Sequence, residues 1–521
     1  MRRRNKRILS ETETAEEGFD DSSVEPGVWR YARAERASVI IDAENYFLLM
    51  QQAMTKARHR LLLIGWDFDT RIHLAHGRRW WQKAWRRECP SRLGSFILWL
   101  SRHNRGLEIR ILKWSYGIFK FAARGSMLLD LIRWAPHRRI DFKFDTAHPV
   151  GCSHHQKIVV IDDRLAVCGG IDMTTNRWDT REHLEHDPRR KRPRGAEHGP
   201  WHDLTMMVEG EAAEALGALG RDRWRRAGGK PLKPVPEAAQ SAWPDDLSAD
   251  FTDVEIGIAR TRAEYKGSPA VNEIEDLFVA HIKRARRFIY AESQYFASRR
   301  IAETIAERLR EENPPEFVIV HARNADGWLE QQAMDHTRSR LVAMLEELDH
   351  KRRFHLYSPY TGRTPIYCHA KLMIVDDEIL RIGSANFNNR SMGLDSECDV
   401  FIDCDRPVNR GCGEQIRRIR YSLLSEHCGV DIEEVGPLIE RHGSMAAMIA
   451  AADSKNGCSL RPFQPEKLNG VEKTLADNTA LDPEEPEEFF EPFVQGRGLF
   501  RTGSLLDRAR RRLKSRRERR Q

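Results

Sequence analysis

The strongest constraint on the fold of this chain is an internal duplication, marked by two short motifs. The first motif, HQKIVVID, begins at His155, and the second, HAKLMIVD, begins at His369, 214 residues later. The segments RIDFKF and RFHLYS, which begin at Arg139 and Arg353, are separated by the same 214 residues. A constant offset indicates two copies of one structural unit. Because the unit is much longer than a solenoid repeat, we expect two similar halves rather than a linear array.

The pattern inside each copy predicts α/β structure. An amphipathic segment precedes the apolar run Leu61–Trp66 in the first copy, and another precedes Phe288–Ala291 in the second. Apolar or alternating strands, GLEIRILKW and PPEFVIVHA, follow in each case. Helices that alternate with strands favour a mixed β-sheet flanked by helices. We therefore predict an α/β fold of two similar halves, packed with pseudo-two-fold symmetry around one shared cleft.

Changes in composition divide the chain into four segments. Residues 1–37 are polar, and we predict that they form a flexible arm. We assign residues 38–250 to the first half and residues 251–435 to the second half. Residues 436–521 are predicted to be a weakly structured charged tail that ends in a basic run.

Composition limits the possible classes of protein. The 521 residues are 40% hydrophobic and 31% charged, which is typical of a globular protein. No apolar run reaches the roughly 18 residues that a membrane helix needs, and the first residues lack the apolar core of a secretory signal. We expect a cytoplasmic protein, soluble or peripheral on a membrane. The nine cysteines form no CxxC pair, so we expect buried thiols.

Residues i and i+2 of a strand face the same side, so each motif projects a histidine and a lysine together. The lysines can hold the non-bridging oxygens of a phosphodiester. One imidazole can attack phosphorus while the other protonates the leaving alcohol. This chemistry needs no cofactor and no metal, and only the loop from His183 to His202 is rich in metal-ligand residues. The candidate catalytic residues are His155, Lys157, Asp162, His369, Lys371 and Asp376.

These motifs resemble the phospholipase D superfamily, and within it the phosphatidyl-hydrolysing branch. The resemblance is carried by HHQKIVVIDDRLAVCGGIDMTTNRWDT, PWHDLTMMVEGEAA, AESQYF and GSANFNNRSMGLDSECDV, and extends from about Ala37 to Val430. It implies the two-half phospholipase D fold and a covalent phosphohistidine, with His155 as nucleophile and His369 as general acid and then base. Since about 37 residues precede the first half, it also implies a form without an N-terminal lipid-binding module.

The resemblance also implies supporting residues. Asp203 and Glu397 match the acids that hydrogen-bond the histidine ring nitrogens facing away from phosphorus. Asp172 stands where the second half has Asn386, which favours the phospholipase branch over the nuclease and cardiolipin synthase branches. The supporting set is Asp172, Asp203, Ser384, Asn386 and Glu397.

The leading hypothesis is a phospholipase D that hydrolyses the distal phosphodiester of glycerophospholipids at a membrane surface, with transphosphatidylation as a second reaction. A phosphatidyltransferase such as a cardiolipin synthase and a nuclease or other phosphodiesterase remain alternatives. A non-catalytic lipid-binding module ranks last, because both His-Lys pairs are intact. Nucleic acid is disfavoured as a partner. An oligomer is not required, because one chain carries both motifs.

Three weaker signals stay open. Trp80, Trp81 and Trp85 lie among basic residues and suit either a membrane interface or a helix packed inward. The basic runs Arg189–Arg194 and Arg508–Arg520 suit either an anionic partner or solvated chain.

Overall fold

The strands of each half follow one another in the same spatial order, and a computed structural model describes them over residues 25–75, 89–114, 125–236, 240–323 and 328–464. The first half contains β1 (Arg30–Ile41), α1 (Ala43–Lys56), β2 (Arg60–Gly65), α2 (Leu93–His103), β3 (Glu108–Trp114), α3 (Gly125–Trp134), β4 (Ile140–Asp145), β5 (Ile158–Ile161), β6 (Leu165–Gly169), β7 (Trp201–His202), β8 (Leu204–Glu209) and α4 (Glu211–Arg226).

The second half repeats this series and then adds a C-terminal group of elements. It contains β9 (Phe251–Arg262), β10 (Val271–Asn272), α5 (Glu273–Arg284), β11 (Phe288–Ser293), α6 (Arg299–Leu309), β12 (Glu316–His321), α7 (Trp328–Leu348), β13 (Phe354–Thr361), β14 (Thr364–Pro365), β15 (Tyr367–Cys368), β16 (Lys371–Val375), β17 (Ile379–Gly383), a π-helical turn (Arg390–Leu394), β18 (Glu397–Asp403), a 3-10 turn (Pro407–Asn409), α8 (Gly413–Cys428), α9 (Ile432–His442), α10 (Met445–Ala451) and β19 (Cys458–Pro462).

The two halves share a mixed seven-stranded arrangement with the same topology, to which the second half adds β10, β14 and β19. The order is β4-β3-β2-β5-β6-β8-β1 in the first half and β13-β12-β11-β16-β17-β18-β9 in the second. The first three strands of each order are parallel, and the remaining strands are antiparallel. Strands β1 and β9 pair with each other, with Arg30 opposite Ile258, and join the two sheets. The predicted α/β fold of two similar halves related by pseudo-two-fold symmetry is confirmed.

The motif strands are apolar throughout because both of their faces are buried. Val160 of β5 and Ile374 of β16 point into one core shared by the two halves. Their neighbours Val159 and Met373 point the other way, into separate cores against the helices of their own halves. The shared core holds the two motif strands at a fixed distance, which a two-motif site requires.

Two of the predicted segment boundaries are wrong. Strand β1 begins at Arg30, within the segment assigned to the flexible arm, because its alternation of Arg or Glu with small alanines is a weak apolar signal. At the other end, α9, α10 and β19 continue the fold beyond residue 436, and β19 pairs with β13.

Most of the cysteines are buried, as expected. All nine cysteines are free thiols, and seven of them are buried. None of the helices in the described ranges combines the length and apolar composition needed to cross a bilayer. The segment around Trp80 and the basic run near the C-terminus lie outside the described residues.

Candidate active site

The backbone of each motif histidine is hydrogen-bonded to the opposite half of the protein. The backbone N–H of His155 donates to the carbonyl of Ser396 at 2.9 Å, and that of His369 donates to the carbonyl of His202 at 2.7 Å. Strand β15, which leads into the second motif, pairs with β7 of the first half. The backbone therefore brings both histidines to one seam between the halves.

The two histidine rings are oriented by carboxylates that also come from the opposite half. His155 Nδ1 lies 2.9 and 3.0 Å from the two carboxylate oxygens of Glu397. His369 Nδ1 lies 2.7 Å from Oδ2 of Asp203. An Nδ1–H that donates to a carboxylate leaves Nε2 with a free lone pair. Each half thus supplies one reactive ring and the acid that orients the other.

The orienting carboxylates are themselves held in place. Glu397 accepts hydrogen bonds from the hydroxyl of Ser384 at 2.5 Å and from that of Ser391 at 2.7 Å. Asp203 accepts from the backbone N–H of Leu204 at 2.9 Å. A Cβ on Gly170 would lie 2.0 Å from Oδ1 of Asp203, so only glycine fits beside this carboxylate.

The lysines face different partners, which makes the site asymmetric. Lys157 Nζ lies 3.4 Å from Oδ2 of Asp172, a buried carboxylate that balances its charge. Lys371 Nζ lies 3.3 Å from the amide oxygen of Gln294, which also accepts from Asn386 at 3.5 Å. Lys371 therefore contacts the neutral amide of Gln294, whereas Lys157 contacts an acid.

Burial sets the protonation of these groups. Burial lowers the pKa of His155 and His369 well below the ordinary histidine value, and the charges of both lysines lower each pKa further. Burial also lowers the pKa of Lys371 to about 7 and raises the pKa of Asp203 and of Glu397 to about 7. The charges of both lysines therefore reach both rings, and a neutral imidazole is available as a nucleophile.

These shifts predict a bell-shaped pH dependence of kcat/KM. Asp203 and Glu397 must be ionised to accept Nδ1–H, so activity rises as pH increases through about 7. Lys371 must be protonated to hold phosphate, so activity falls again above about 7. Lys371→Arg keeps its charge and is expected to move the alkaline limb upward. Rates on a soluble phosphodiester from pH 5 to 10 measure both limbs, and a flat profile would contradict the assignment.

The contacts of the motif aspartates favour a structural role over the predicted catalytic one. Asp162 accepts the backbone N–H groups of Arg58, His59 and Arg60 at 2.6–2.7 Å. Asp376 makes the equivalent bonds, at 2.6–2.8 Å, to residues 286–288. Both occupy the hairpin turn at the far end of the motif strand, about 16 Å of extended chain from the lysine.

Asp162→Ala is therefore expected to lower stability rather than activity. A charged acceptor of three partly buried N–H groups is lost, which is expected to lower the free energy of unfolding by about 1–3 kcal/mol. Urea denaturation measures this loss, while kcat per folded molecule should stay within a few fold of wild type. A large fall in kcat with unchanged stability would restore a catalytic role.

Aromatic and cationic side chains that the motifs did not assign also line the site. The ring of Trp201 lies 5.2 Å from that of His369 and stacks on Tyr367 at 4.5 Å. The guanidinium of Arg177 lies 4.1 Å from the Trp201 ring centre and is only 7% exposed. Among the described residues its Nε has no hydrogen-bond partner. Arg177 and Trp201 belong to the segments RWD and PWHD, which were the available signal in the sequence.

The sequence matches a known protein family across both motifs. A family model described as Phospholipase D matches residues 53–308 and again residues 298–472. The chain therefore belongs to the phospholipase D family. Membership supports an enzyme that cleaves or transfers phosphodiester groups, and each match contains one of the two motifs.

Curated relatives are distant. Phospholipase D alpha 4 of Arabidopsis thaliana is 24% identical over 498 residues, covering 75% of this chain and 64% of the relative. Phospholipase D A of Dictyostelium discoideum is also 24% identical, covering 78% of this chain and 36% of the relative. The chain thus spans less than two thirds of the length of these relatives. A solved structure, phosphatidylserine synthase of Haemophilus influenzae Rd KW20, superposes with a TM-score of 0.48 at 11% identity, covering 81% of this chain and 96% of that one.

Proposed function

We propose that this chain is a phospholipase D that hydrolyses glycerophospholipids to phosphatidic acid and a free alcohol through a covalent phosphohistidine. The observation that carries the proposal is the crossed arrangement of the two halves. Each reactive histidine is oriented by a carboxylate of the other half, at 2.9 Å for His155 and 2.7 Å for His369. Such an arrangement suits a reaction that uses two imidazoles in turn on one phosphorus atom.

In the first step, Nε2 of His155 attacks phosphorus and the bond to the head-group alcohol breaks. Lys157 and Lys371 bind the non-bridging oxygens, and Glu397 stabilises the positive charge that forms on the His155 ring. His369, protonated once the anionic substrate is bound, donates its proton to the departing alkoxide.

In the second step, His369 accepts a proton from water, and the resulting hydroxide attacks the phosphohistidine. The phosphorus–nitrogen bond breaks, neutral His155 is regenerated, and phosphatidic acid leaves. A primary alcohol can replace the water, and the product is then a new phosphatidyl alcohol.

A lipid substrate is supported by the relatives, which are named phospholipases D, and by the aromatic side chains beside the phosphate site. The ring of Trp66 lies 6.3 Å from that of His155 and stacks on Trp114 at 5.7 Å, while Trp201 and Tyr367 form a second stacked pair beside His369. Amphipathic aromatic groups accommodate both polar and apolar parts of a lipid.

The test is to incubate the purified chain with mixed phospholipid vesicles and a primary alcohol, and to identify the lipid products by mass spectrometry. Phosphatidic acid and the phosphatidyl alcohol are expected, and both should be absent with His155→Ala. Transfer to another lipid without phosphatidic acid would instead identify a phosphatidyltransferase. Cleavage of single-stranded DNA with no lipid turnover would identify a nuclease and contradict the proposal.

A further inference from the structure

A second cluster of potential ligands lies behind the active site, next to the acid that orients His369. Four fully buried side chains each offer one ligand atom, and these atoms lie within 4.8 Å of one another. Asp42 precedes α1, His183 lies in the long loop after β6, His202 ends β7, and Glu426 lies on α8. Three ligands belong to the first half and one to the second.

The distances within the cluster match the ligand shell of one metal ion. His183 Nε2 lies 3.4 Å from Asp42 Oδ2 and 3.1 Å from Glu426 Oε1. His202 Nδ1 lies 3.2 Å from Asp42 Oδ1 and 2.8 Å from Glu426 Oε1. Tetrahedral zinc with bonds of about 2.0–2.1 Å places neighbouring ligand atoms about 3.3 Å apart.

Two of these atoms point into the cluster without an aligned hydrogen bond. Oδ2 of Asp42 and Nδ1 of His202 have no hydrogen-bond partner among the described residues, although both residues are completely buried. An unpartnered buried carboxylate oxygen is costly, and a bound cation removes that cost.

The outer nitrogens of both histidines are hydrogen-bonded to further carboxylates. His183 Nδ1 lies 3.1 Å from Asp179 Oδ2, and His202 Nε2 lies 2.8 Å from Glu292 Oε2. Metal-binding histidines typically donate their other N–H to a carboxylate in this way, because it leaves the inner nitrogen with a lone pair. When the rings are neutral, these outer contacts hold both in the tautomer that a metal requires.

The surrounding arginines do not neutralise all of the buried carboxylates around the cluster. Arg181 pairs with Glu426, and Arg190 pairs with Asp179 at 3.1 Å. These two cations face four buried carboxylates, so the cluster carries two uncompensated negative charges when its histidines are neutral. The four carboxylates are Asp42, Asp179, Glu292 and Glu426.

We propose that Asp42, His183, His202 and Glu426 bind one structural zinc ion, or a divalent transition-metal ion of similar preference. Four protein ligands with no exposed position define a closed site that stabilises the fold and does no chemistry. The ion would join α8 of the second half to the first half and fix the backbone beside Asp203. This departs from the expectation that the chain holds no metal, because ligands spread from residue 42 to residue 426 show no local ligand spacing.

The test begins with the metal content of the full chain, purified without a polyhistidine tag and dialysed. Inductively coupled plasma mass spectrometry should find about one zinc per chain, as a closed four-ligand site requires. Refolding in a chelator should lower the melting temperature, and added zinc should restore it. Cobalt substituted for zinc should give the visible absorption bands of a tetrahedral ion.

Two variants and a matched control test the ligand set. Glu426→Gln and His183→Asn should each lose the stoichiometric metal, whereas His186→Asn should keep it, because His186 lies exposed in the same loop. Should either ligand variant fail to fold, the wild-type measurements still decide.

Two results would overturn the proposal. The first is substoichiometric metal in wild type with no effect of zinc on refolding, which would identify the cluster as an ion network with protonated histidines. The second is equal metal content in wild type and a folded His183→Asn variant, which would identify adventitious binding. Neither result depends on lipid hydrolysis, so the proposed function stands or falls separately.

Discussion

His155→Ala is expected to abolish both turnover and the covalent phosphoenzyme, with a loss in kcat of at least about 10⁴-fold. In the proposed mechanism His155 supplies the attacking nitrogen, so its removal takes away the phosphorus–nitrogen bond of the first step. His369→Ala is expected to stop turnover of ordinary lipids to a similar extent for a different reason. The head-group alkoxide is a poor leaving group and departs only with a proton.

A substrate with a good leaving group separates the two roles. A nitrophenyl phosphodiester releases a stable anion that needs no acid, so His369→Ala should still accumulate phosphohistidine at position 155. Acid quench followed by mass spectrometry of the trapped protein measures the adduct. A phosphoryl group on His369 in the His155→Ala variant would show that the roles are reversed, although the two-histidine mechanism would stand.

The structure provides a local asymmetry between the two lysines that accompany these histidines. The charge of Lys157 is balanced by Asp172 at 3.4 Å, whereas Lys371 contacts the neutral amide of Gln294 at 3.3 Å. The motifs themselves are nearly identical, so the assignment of roles depends on the family resemblance and on this experiment.

Glu397→Gln and Asp203→Asn are each expected to lower kcat by about 10²–10⁴-fold while the protein stays folded. An amide has nearly the shape of the carboxylate, but it no longer fixes the tautomer or stabilises an imidazolium. The proton then occupies Nε2, the nitrogen that must face phosphorus with a lone pair. Steady-state rates on vesicles and melting temperatures of the two variants measure the effect.

The crossed pairing gives the two variants different signatures. Glu397→Gln acts on His155, so it should slow phosphorylation even by the nitrophenyl substrate. Asp203→Asn acts on His369, so it should impair lipid turnover far more than phosphorylation by that activated substrate. Asp253→Asn serves as the control, because Asp253 lies on the surface with 68% of its side chain exposed. Near-normal kcat in both variants would contradict the proposed orientation of the rings.

The sequence by itself determined the duplication, the α/β class and the two His-Lys pairs. Each of these depends on local order along the chain. The 214-residue offset recurs at independent positions, and residues two apart on a strand must share a face. The apolar runs of β5 and β16 likewise identify strands buried on both faces, wherever the rest of the chain lies.

Only the tertiary structure decided which groups meet at the site. Glu397 orients His155 from 242 residues away, and Asp203 orients His369 from 166 residues away, so each acid serves the motif of the other half. The backbone contacts of the motif aspartates were also not predictable, because spacing cannot distinguish a carboxylate at the phosphate from one that binds backbone N–H groups in a turn. The buried cluster around His202 was visible only in part, since the sequence marked the loop from His183 to His202 but gave no sign of Asp42 or Glu426. Its members are brought together by the packing of α8 against the first half, and packing between distant segments leaves no periodic trace in a sequence.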